Sequence, residues 1–100
     1  MIRKLTVDDR QSAIALMQRD PETNLYMLGN IETIGFNADF CEFWGEFDDR
    51  GALRGIANRY FTGWVVYGTP EADWKALAAL IDADATAARL QDNPGGIASI

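Results

Sequence analysis

The chain has 100 residues and a net charge of −6, from nine Lys and Arg against fifteen Asp and Glu, with no histidine and with Cys41 as the one cysteine. The lack of histidine excludes a Ser-His-Asp triad, an imidazole general base and a histidine-ligated zinc site. The single cysteine excludes an internal disulfide and a CxxC redox pair. With 48% hydrophobic and 24% charged residues, the composition is that of one globular domain.

The acidic balance, with a pI near 4.4, also argues against two kinds of partner. Nucleic acids and anionic membranes are bound by clustered Lys and Arg, and Arg3-Lys4 is the only adjacent basic pair in this chain. Asp8 and Asp9 stand where a signal peptide would need its apolar core. We therefore expect a cytoplasmic protein with a reduced, buried Cys41 thiol and no nucleic-acid or membrane partner.

The chain begins with the signals of a short strand and a capped helix. Alternation over residues 2–5 predicts the strand. Thr6 is a good N-cap, and Asp9 three residues later makes an approximate capping box. The apolar spacing that follows predicts a first helix over 7–19.

A second helix is predicted close behind the first. Asp20-Pro21 ends the first helix, because a residue before proline avoids the α region. Pro21 can open the second helix with Asp20 as its cap. Apolar residues then recur at every third position until Gly35, which is a good C-terminal stop.

Three strands are predicted in the middle of the chain. Strict alternation over 41–48 predicts a strand with one drier face, and strands over 53–61 and 64–67 follow after turns. Pairing Phe47 with Leu53 sets the predicted register of the first hairpin. The other predicted pairs are Gly45 with Gly55 and Phe43 with Ala57 on one face, and Glu46 with Arg54 and Trp44 with Ile56 on the other.

A last helix is predicted after the strands. Thr69 is its expected N-cap and Pro70 its first residue. Glu71 and Asp73 fall in its first turn, where negative charge is favourable. The helix is expected to fray near Asp84.

The predicted domain covers residues 1–83, and residues 84–100 are expected to be a tail or the start of a linker. Asn93-Pro94-Gly95-Gly96 marks a turn, which a short strand through Ile97 can follow. The predicted element order is β-α-α-β-β-β-α. A mostly antiparallel sheet with helices packed on it is an α+β architecture.

Spacing alone assigns no catalytic residue and no metal ligand. Glu42, Glu46 and Asp48 lie on one strand face, and we expect that face to be solvated, because catalytic carboxylates need a cleft and a perturbed pKa. Trp44 and Trp64 are expected to share this charged face. No GxGxxG or GxxxxGK[ST] pattern occurs.

Three stretches of the chain carry a family resemblance. They are Met1-Ile-Arg-Lys-Leu-Thr-Val-Asp-Asp-Arg10, Asn24-Leu-Tyr-Met-Leu-Gly-Asn-Ile-Glu32 followed by Gly35-Phe36, and Phe43-Trp-Gly-Glu-Phe-Asp-Asp-Arg-Gly-Ala-Leu-Arg54. Together they resemble the N-terminal half of a subgroup of GNAT-family N-acetyltransferases with considerably longer chains. The resemblance covers about residues 1–83 and implies a GNAT-like fold, whose element order matches the predicted one.

The resemblance implies transfer of acetyl from acetyl-CoA to an amine. In active members a [QR]-x-x-G-x-[GA] signature before the helix binds the coenzyme A pyrophosphate. The corresponding stretch here, Tyr67-Gly-Thr-Pro-Glu-Ala-Asp73, lacks the signature's glycines, and its proline offers no N–H. We therefore expect no cofactor-binding residue in this segment and transfer no catalytic residue to it. Trp44, Glu46 and Trp64 are the candidates for shaping the acceptor-amine pocket.

Three interpretations stay open. The chain is the noncatalytic N-terminal part of an acetyltransferase, as a fragment or a free-standing degenerate relative, with acetyl-CoA bound by the missing C-terminal half. Alternatively it is a stand-alone α+β interaction module, or a small transferase active by itself. If the chain is half of a larger fold, one edge strand of its sheet is left unpaired. The expected partner is therefore the missing catalytic half, or a second copy of this chain that binds through a sheet edge.

Overall fold

The structure, a computed structural model, describes residues 1–92, with side chains for residues 1–84. The predicted α+β architecture is confirmed, since these residues form one antiparallel sheet in the order β1-β2-β3-β4 together with three α-helices. The predicted turn at 93–96 and strand through Ile97 lie outside the described residues. The elements are β1 (Ile2–Lys4), α1 (Arg10–Met17), α2 (Leu25–Thr33), β2 (Cys41–Phe47), β3 (Leu53–Tyr60), β4 (Gly63–Gly68) and α3 (Trp74–Asp92).

The capping box at the start of the first helix is confirmed. The Asp8 N–H donates to Thr6 Oγ1 at 3.3 Å, and the Thr6 N–H donates to Asp9 Oδ2 at 2.9 Å. The box opens a single turn of 3₁₀ helix over Val7–Asp9, which leads into α1. The continuous helix predicted over 7–19 was therefore wrong at both ends.

A buried asparagine explains why α2 starts later than predicted. Asn24 Nδ2 donates to the carbonyl oxygens of Met17 and Asp20, each at 3.0 Å. These bonds satisfy carbonyls at the end of α1 and hold the segment between the helices as a turn. Helix α2 consequently begins at Leu25, and the prediction that Pro21 opens it was wrong.

A β-bulge changes the predicted hairpin register. Phe47 lies opposite Leu53 as predicted, but the register shifts between Glu46 and Phe47. All the pairs predicted beyond this point were wrong by one residue, because strict alternation cannot reveal an inserted residue. The observed pairs are Glu46 with Gly55, Gly45 with Ile56, Trp44 with Ala57 and Phe43 with Asn58.

The bulge decides which face each β3 side chain occupies. Ile56, predicted beside Trp44 on the charged face, is instead fully buried in the core on the opposite face. Arg54 still reaches Glu46, so the predicted contact between these two residues forms although the predicted register does not.

The helices cover the two faces of the sheet. Side chains of α1 and α2 pack with Cys41, Phe43 and Ile56 of the sheet in one core, and the Cys41 thiol is free and buried as predicted. Helix α3 lies on the other face, where a Cβ built on Gly55 would lie 3.0 Å from Leu77 Cδ1. The buried core consists of Leu5, Ala13, Leu16, Met17, Met27, Ile31, Phe36, Cys41, Phe43, Phe47 and Ile56.

The start of α3 also differs from the prediction. The Thr69 N–H donates to a carbonyl of β3 at 2.9 Å and extends the β3–β4 ladder, while Thr69 Oγ1, the atom that would cap a helix, is buried without a hydrogen-bond partner among the described residues. Asp73 Oδ1 accepts the Ala76 N–H at 3.0 Å, which makes Asp73 the N-cap of a helix that begins at Trp74 and continues past Asp84. Even this helix is not apolar enough to cross a membrane, and neither is any other among residues 1–92.

Candidate functional site

Trp44 and Trp64 line one cleft between the sheet and α3. They lie on β2 and β4, the two strands that flank β3, and both face the α3 side of the sheet, as the sequence predicted. Glu46, the third candidate from the sequence, is not one of the lining residues. The cleft has a volume of about 250 Å³ and is lined by Glu42, Trp44, Trp64, Leu80, Ala83 and Asp84.

Each indole in the cleft donates its N–H to a carboxylate. Trp44 Nε1 lies 3.2 Å from Glu42 Oε1, and Trp64 Nε1 lies 3.1 Å from Asp84 Oδ2. Because an indole has a single donor, these bonds fix the orientation of both rings. The cleft therefore presents two oriented aromatic rings next to two carboxylates, of which Asp84 was not a candidate from the sequence.

The Glu42 carboxylate is held in its charged form by neighbouring cations. Lys4 Nζ lies 3.4 Å from Glu42 Oε2, and the Arg59 guanidinium lies 3.3 Å from Glu42 Oε1. Burial alone would raise the pKa of Glu42, but the hydrogen bond from Trp44 and the charges of Arg59 and Lys4 outweigh it and lower the pKa below its ordinary value. Glu42 is therefore ionised at neutral pH.

Glu46 has a different environment from the one predicted. Its side chain is 0% exposed and accepts two hydrogen bonds from Arg54, at 3.0 and 2.6 Å, and one from the Asp73 N–H at 3.1 Å. Burial raises the pKa of Glu46, but the bonds from Arg54 and Asp73 outweigh it and the pKa is lowered. The expectation of a solvated face was wrong for Glu46, because the start of α3 covers its side chain and donates the Asp73 N–H to its carboxylate.

The connection between β4 and α3 does not fit the pyrophosphate of acetyl-CoA. Pro70 has no N–H, and the Ala72 N–H donates to a carbonyl of the same turn at 3.1 Å. The Asp73 N–H is bonded to Glu46, and the Ala76 N–H is bonded to the Asp73 carboxylate. The N–H groups of Ala72, Asp73 and Ala76 are therefore already used within the chain, beside the negative side chains of Glu46 and Asp73.

An exposed aromatic cluster lies at the end of the sheet where β3 turns into β4. Its four rings are between 36% and 56% exposed. The Phe40 and Phe61 rings stack with centroids 5.0 Å apart, and the Tyr60 ring meets the Phe61 ring edge-on at 4.8 Å. Tyr26 of α2 completes the cluster through an edge contact with Tyr60 at 6.3 Å. Sequence reasoning missed this cluster because its members come from three separate segments.

Phe61 holds its place in the cluster with an unusual backbone. Its φ is 54°, a left-handed conformation that a bulky residue rarely adopts. The Phe61 N–H donates to the Phe40 carbonyl at 2.7 Å, and Arg59 donates to the Phe61 carbonyl, also at 2.7 Å. These two bonds offset the cost of the conformation and fix an apolar ring on the surface.

Comparison with known proteins finds no relative. No protein-family model, no curated protein and no solved structure matches this chain. This result neither supports nor excludes the GNAT resemblance. Within the described part of the chain, no three His, Cys, Asp or Glu side chains come together as a metal site.

Proposed function

We propose that this chain is the N-terminal part of a GNAT-like N-acetyltransferase, which moves acetyl from acetyl-CoA to an amine, and that the tryptophan cleft helps to shape the acceptor-amine site. The observation that carries the proposal is the meeting of Trp44 and Trp64 with two carboxylates in one cleft. Aromatic faces attract an ammonium ion, and of the two carboxylates Asp84 supplies the negative charge, because Lys4 and Arg59 already pair with Glu42. The cleft therefore suits an amine that approaches in its charged form.

The element order is consistent with the proposal. The described residues follow the order β-α-α-β-β-β-α, with one additional turn of 3₁₀ helix before α1, and this is the order that the GNAT resemblance implies. In this proposal acetyl-CoA belongs to a C-terminal half, because the β4–α3 connection does not fit it. The segment is then inactive by itself, and its buried free Cys41 suits a reducing, cytoplasmic location.

Titration with a small amine tests the cleft. The probe is n-butylamine at pH 7, followed through the indole N–H signals in a two-dimensional ¹⁵N NMR spectrum. We expect the signals of Trp44 and Trp64 to shift with a dissociation constant on the order of 10 mM, as for a small cation against aromatic faces and carboxylates. Trp74 is exposed at the start of α3, away from the cleft lining, and its signal should stay in place.

Matched controls separate recognition of the amine from apolar binding. Neutral n-butanol should produce smaller shifts than n-butylamine, and Trp64→Phe should weaken amine binding while Trp74→Phe does not. Equal shifts with the alcohol, or equal shifts of Trp74, would refute an amine site in the cleft.

Two further measurements test the family assignment. Calorimetric titration of the chain with acetyl-CoA should show no binding tighter than about 1 mM, because the anion-binding turn is missing. A micromolar dissociation constant would instead make the chain a transferase in its own right. The DNA downstream of the Ile100 codon should encode the glycine signature. A stop codon with no such reading frame nearby would contradict the fragment form of the proposal.

A stand-alone interaction module is the second candidate function. The exposed aromatic cluster favours it, because surface aromatic residues are enriched at protein interfaces. Phe61 and Phe40 stack at 5.0 Å on the surface rather than in the core. Light scattering tests this alternative. If the aromatic cluster is an interface, the chain should associate in solution and Phe61→Ser should weaken that association.

A further inference from the structure

The two edges of the sheet differ in how well they are protected. Strand β1 has three residues and carries the charges of Arg3 and Lys4. Strand β4 has six residues, Gly63–Gly68, with neither a charge nor a proline among them. Natural sheets protect their edges against pairing with other chains by short strands, lysines and prolines. The β1 edge has such protection, and the β4 edge does not. Among residues 1–92, no strand pairs with the outer edge of β4.

The hydrogen bonds to β3 show which groups of β4 point outward. The residue pairs of β3 and β4 keep one constant register, and the Thr69 N–H continues it by donating to the Arg54 carbonyl at 2.9 Å. Backbone groups alternate in direction along an antiparallel strand. The N–H and C=O groups of Trp64, Val66 and Gly68 therefore point away from β3 and are available to another strand.

We propose that β4 pairs antiparallel with β4 of a second copy of this chain, across a two-fold axis at Val66. In this register the Val66 N–H of each copy donates to the Val66 carbonyl of the other. Trp64 of each copy lies opposite Gly68 of the other. The ladder then contains about six hydrogen bonds and uses all three residues whose groups point outward. If the chain continues into the catalytic half of the acetyltransferase proposal, that half competes for the unpaired edge, so the contact is proposed for the 100-residue chain.

The side chains favour the same register. Val65 of one copy lies opposite Tyr67 of the other, a pairing of a β-branched and an aromatic residue that stabilises antiparallel sheets. A one-residue slip would put side chains from opposite faces against each other, and a two-residue slip would shorten the ladder.

The two-fold contact also limits the assembly to two copies. A two-fold operation uses the same strand of both copies and leaves the two β1 edges at the outside of the joined sheet. Because β1 is short and basic, it does not recruit a third copy. The expected product is a dimer and not an open-ended fibre.

Sedimentation equilibrium of the 100-residue chain tests the proposal. We expect a monomer–dimer equilibrium with a dissociation constant on the order of 10 µM, since one strand pair makes a small interface. Val65→Lys places an edge lysine in the contact and should weaken the dimer at least about tenfold. Val7→Lys adds the same charge at an exposed valine outside the sheet and should leave the dimer unchanged.

A second variant removes only an outward-pointing donor. Val66→Pro lacks the N–H at the centre of the proposed ladder, while the bonds from β4 to β3 remain. It should therefore dissociate the dimer, and urea unfolding checks that the monomer stays folded. If Val66→Pro does not fold, Val65→Lys decides the question.

Several results would overturn the proposal. A wild-type chain that stays monomeric at about 1 mM, roughly a hundred times the expected dissociation constant, has no such interface. A dimer that survives both edge variants, or that only Phe61→Ser dissociates, uses another surface such as the aromatic cluster. An assembly that grows without limit contradicts the closed two-fold pair.

Discussion

Removing the Glu46 carboxylate should destabilise the fold far more than removing a surface carboxylate. Glu46 is 0% exposed and joins three elements, because it belongs to β2, accepts two bonds from Arg54 of β3 and accepts the Asp73 N–H at the start of α3. In Glu46→Ala these donors lose their acceptor, and the Arg54 charge loses its partner. The matched control is Glu32→Ala, whose carboxylate is 73% exposed and lies 3.5 Å from Arg10.

The expected magnitude follows from how far each partner is buried. Breaking a buried ion pair by removing one member costs about 3–5 kcal/mol. Arg54 is 30% exposed and can turn toward water, so we expect Glu46→Ala to cost about 3 kcal/mol, the lower end of that range. Glu46→Gln keeps one acceptor oxygen and should cost about half as much. Glu32→Ala should cost less than about 0.5 kcal/mol.

The assay is urea unfolding at pH 7, followed by tryptophan fluorescence, with the free energy of unfolding taken at unchanged slope. A loss of about 3 kcal/mol is a large share of the roughly 5–15 kcal/mol that stabilises a domain. If Glu46→Ala costs no more than Glu32→Ala, the carboxylate does not hold the three elements together and the reasoning fails.

The pH dependence gives an independent check of the same junction. The pKa of Glu46 is lower in the folded chain than its ordinary value of 4.5. Its stabilising contribution is therefore present in full above pH 4.5 and is lost as the pH falls through the lower, folded pKa. The wild type should lose stability more steeply than Glu46→Ala below pH 4.5, and parallel curves would contradict the assignment.

Two other predictions concern packing and the capping box. Gly45→Ala should cost about 1–3 kcal/mol in thermal unfolding because its Cβ would lie 2.6 Å from Leu5 Cδ2, whereas Gly29→Ala, in open space on α2, should gain about 0.5–1 kcal/mol. A neutral Gly45→Ala would show that the core yields there. Asp9→Asn should cost roughly 1–2 kcal/mol at pH 7, because the Arg3 guanidinium lowers the pKa of Asp9 from 3.8 to about 2. This cost should be complete above pH 3.8 and be lost as the pH falls through about 2, and a constant cost throughout would exclude an ionic origin.

Local sequence patterns correctly predicted the elements whose determining residues lie within a few positions of one another. The Thr6–Asp9 capping box formed as the three-residue spacing predicted. Alternation from Cys41 placed the apolar residues of β2 in the core and Trp44 on the other face. The strands and helices followed in the predicted order, because hydrophobic period and turn residues are properties of the local sequence.

Contacts between distant residues decided the features that were predicted wrongly. Asn24 delays α2 by bonding carbonyls at and beyond the end of α1, and nothing in the residues around Pro21 indicates this. Asp73 replaces Thr69 as the cap of α3, because Asp73 Oδ1 accepts the Ala76 N–H and the Asp73 N–H is bonded to Glu46 of β2, whereas the buried Thr69 Oγ1 has no hydrogen-bond partner among the described residues. In each case a tertiary hydrogen bond outweighed a local preference of about 1 kcal/mol.

The sequence by itself determined the composition limits, the α+β class and the shared face of Trp44 and Trp64. Only the tertiary structure decided that Glu46 is a buried junction and that Asp84 joins the cleft, because α3 packs on that face of the sheet from far along the chain. The absence of histidine excludes imidazole chemistry whatever the fold. Burial and hydrogen-bond partners, by contrast, are set by which surfaces meet, and a local pattern of residues does not contain that information.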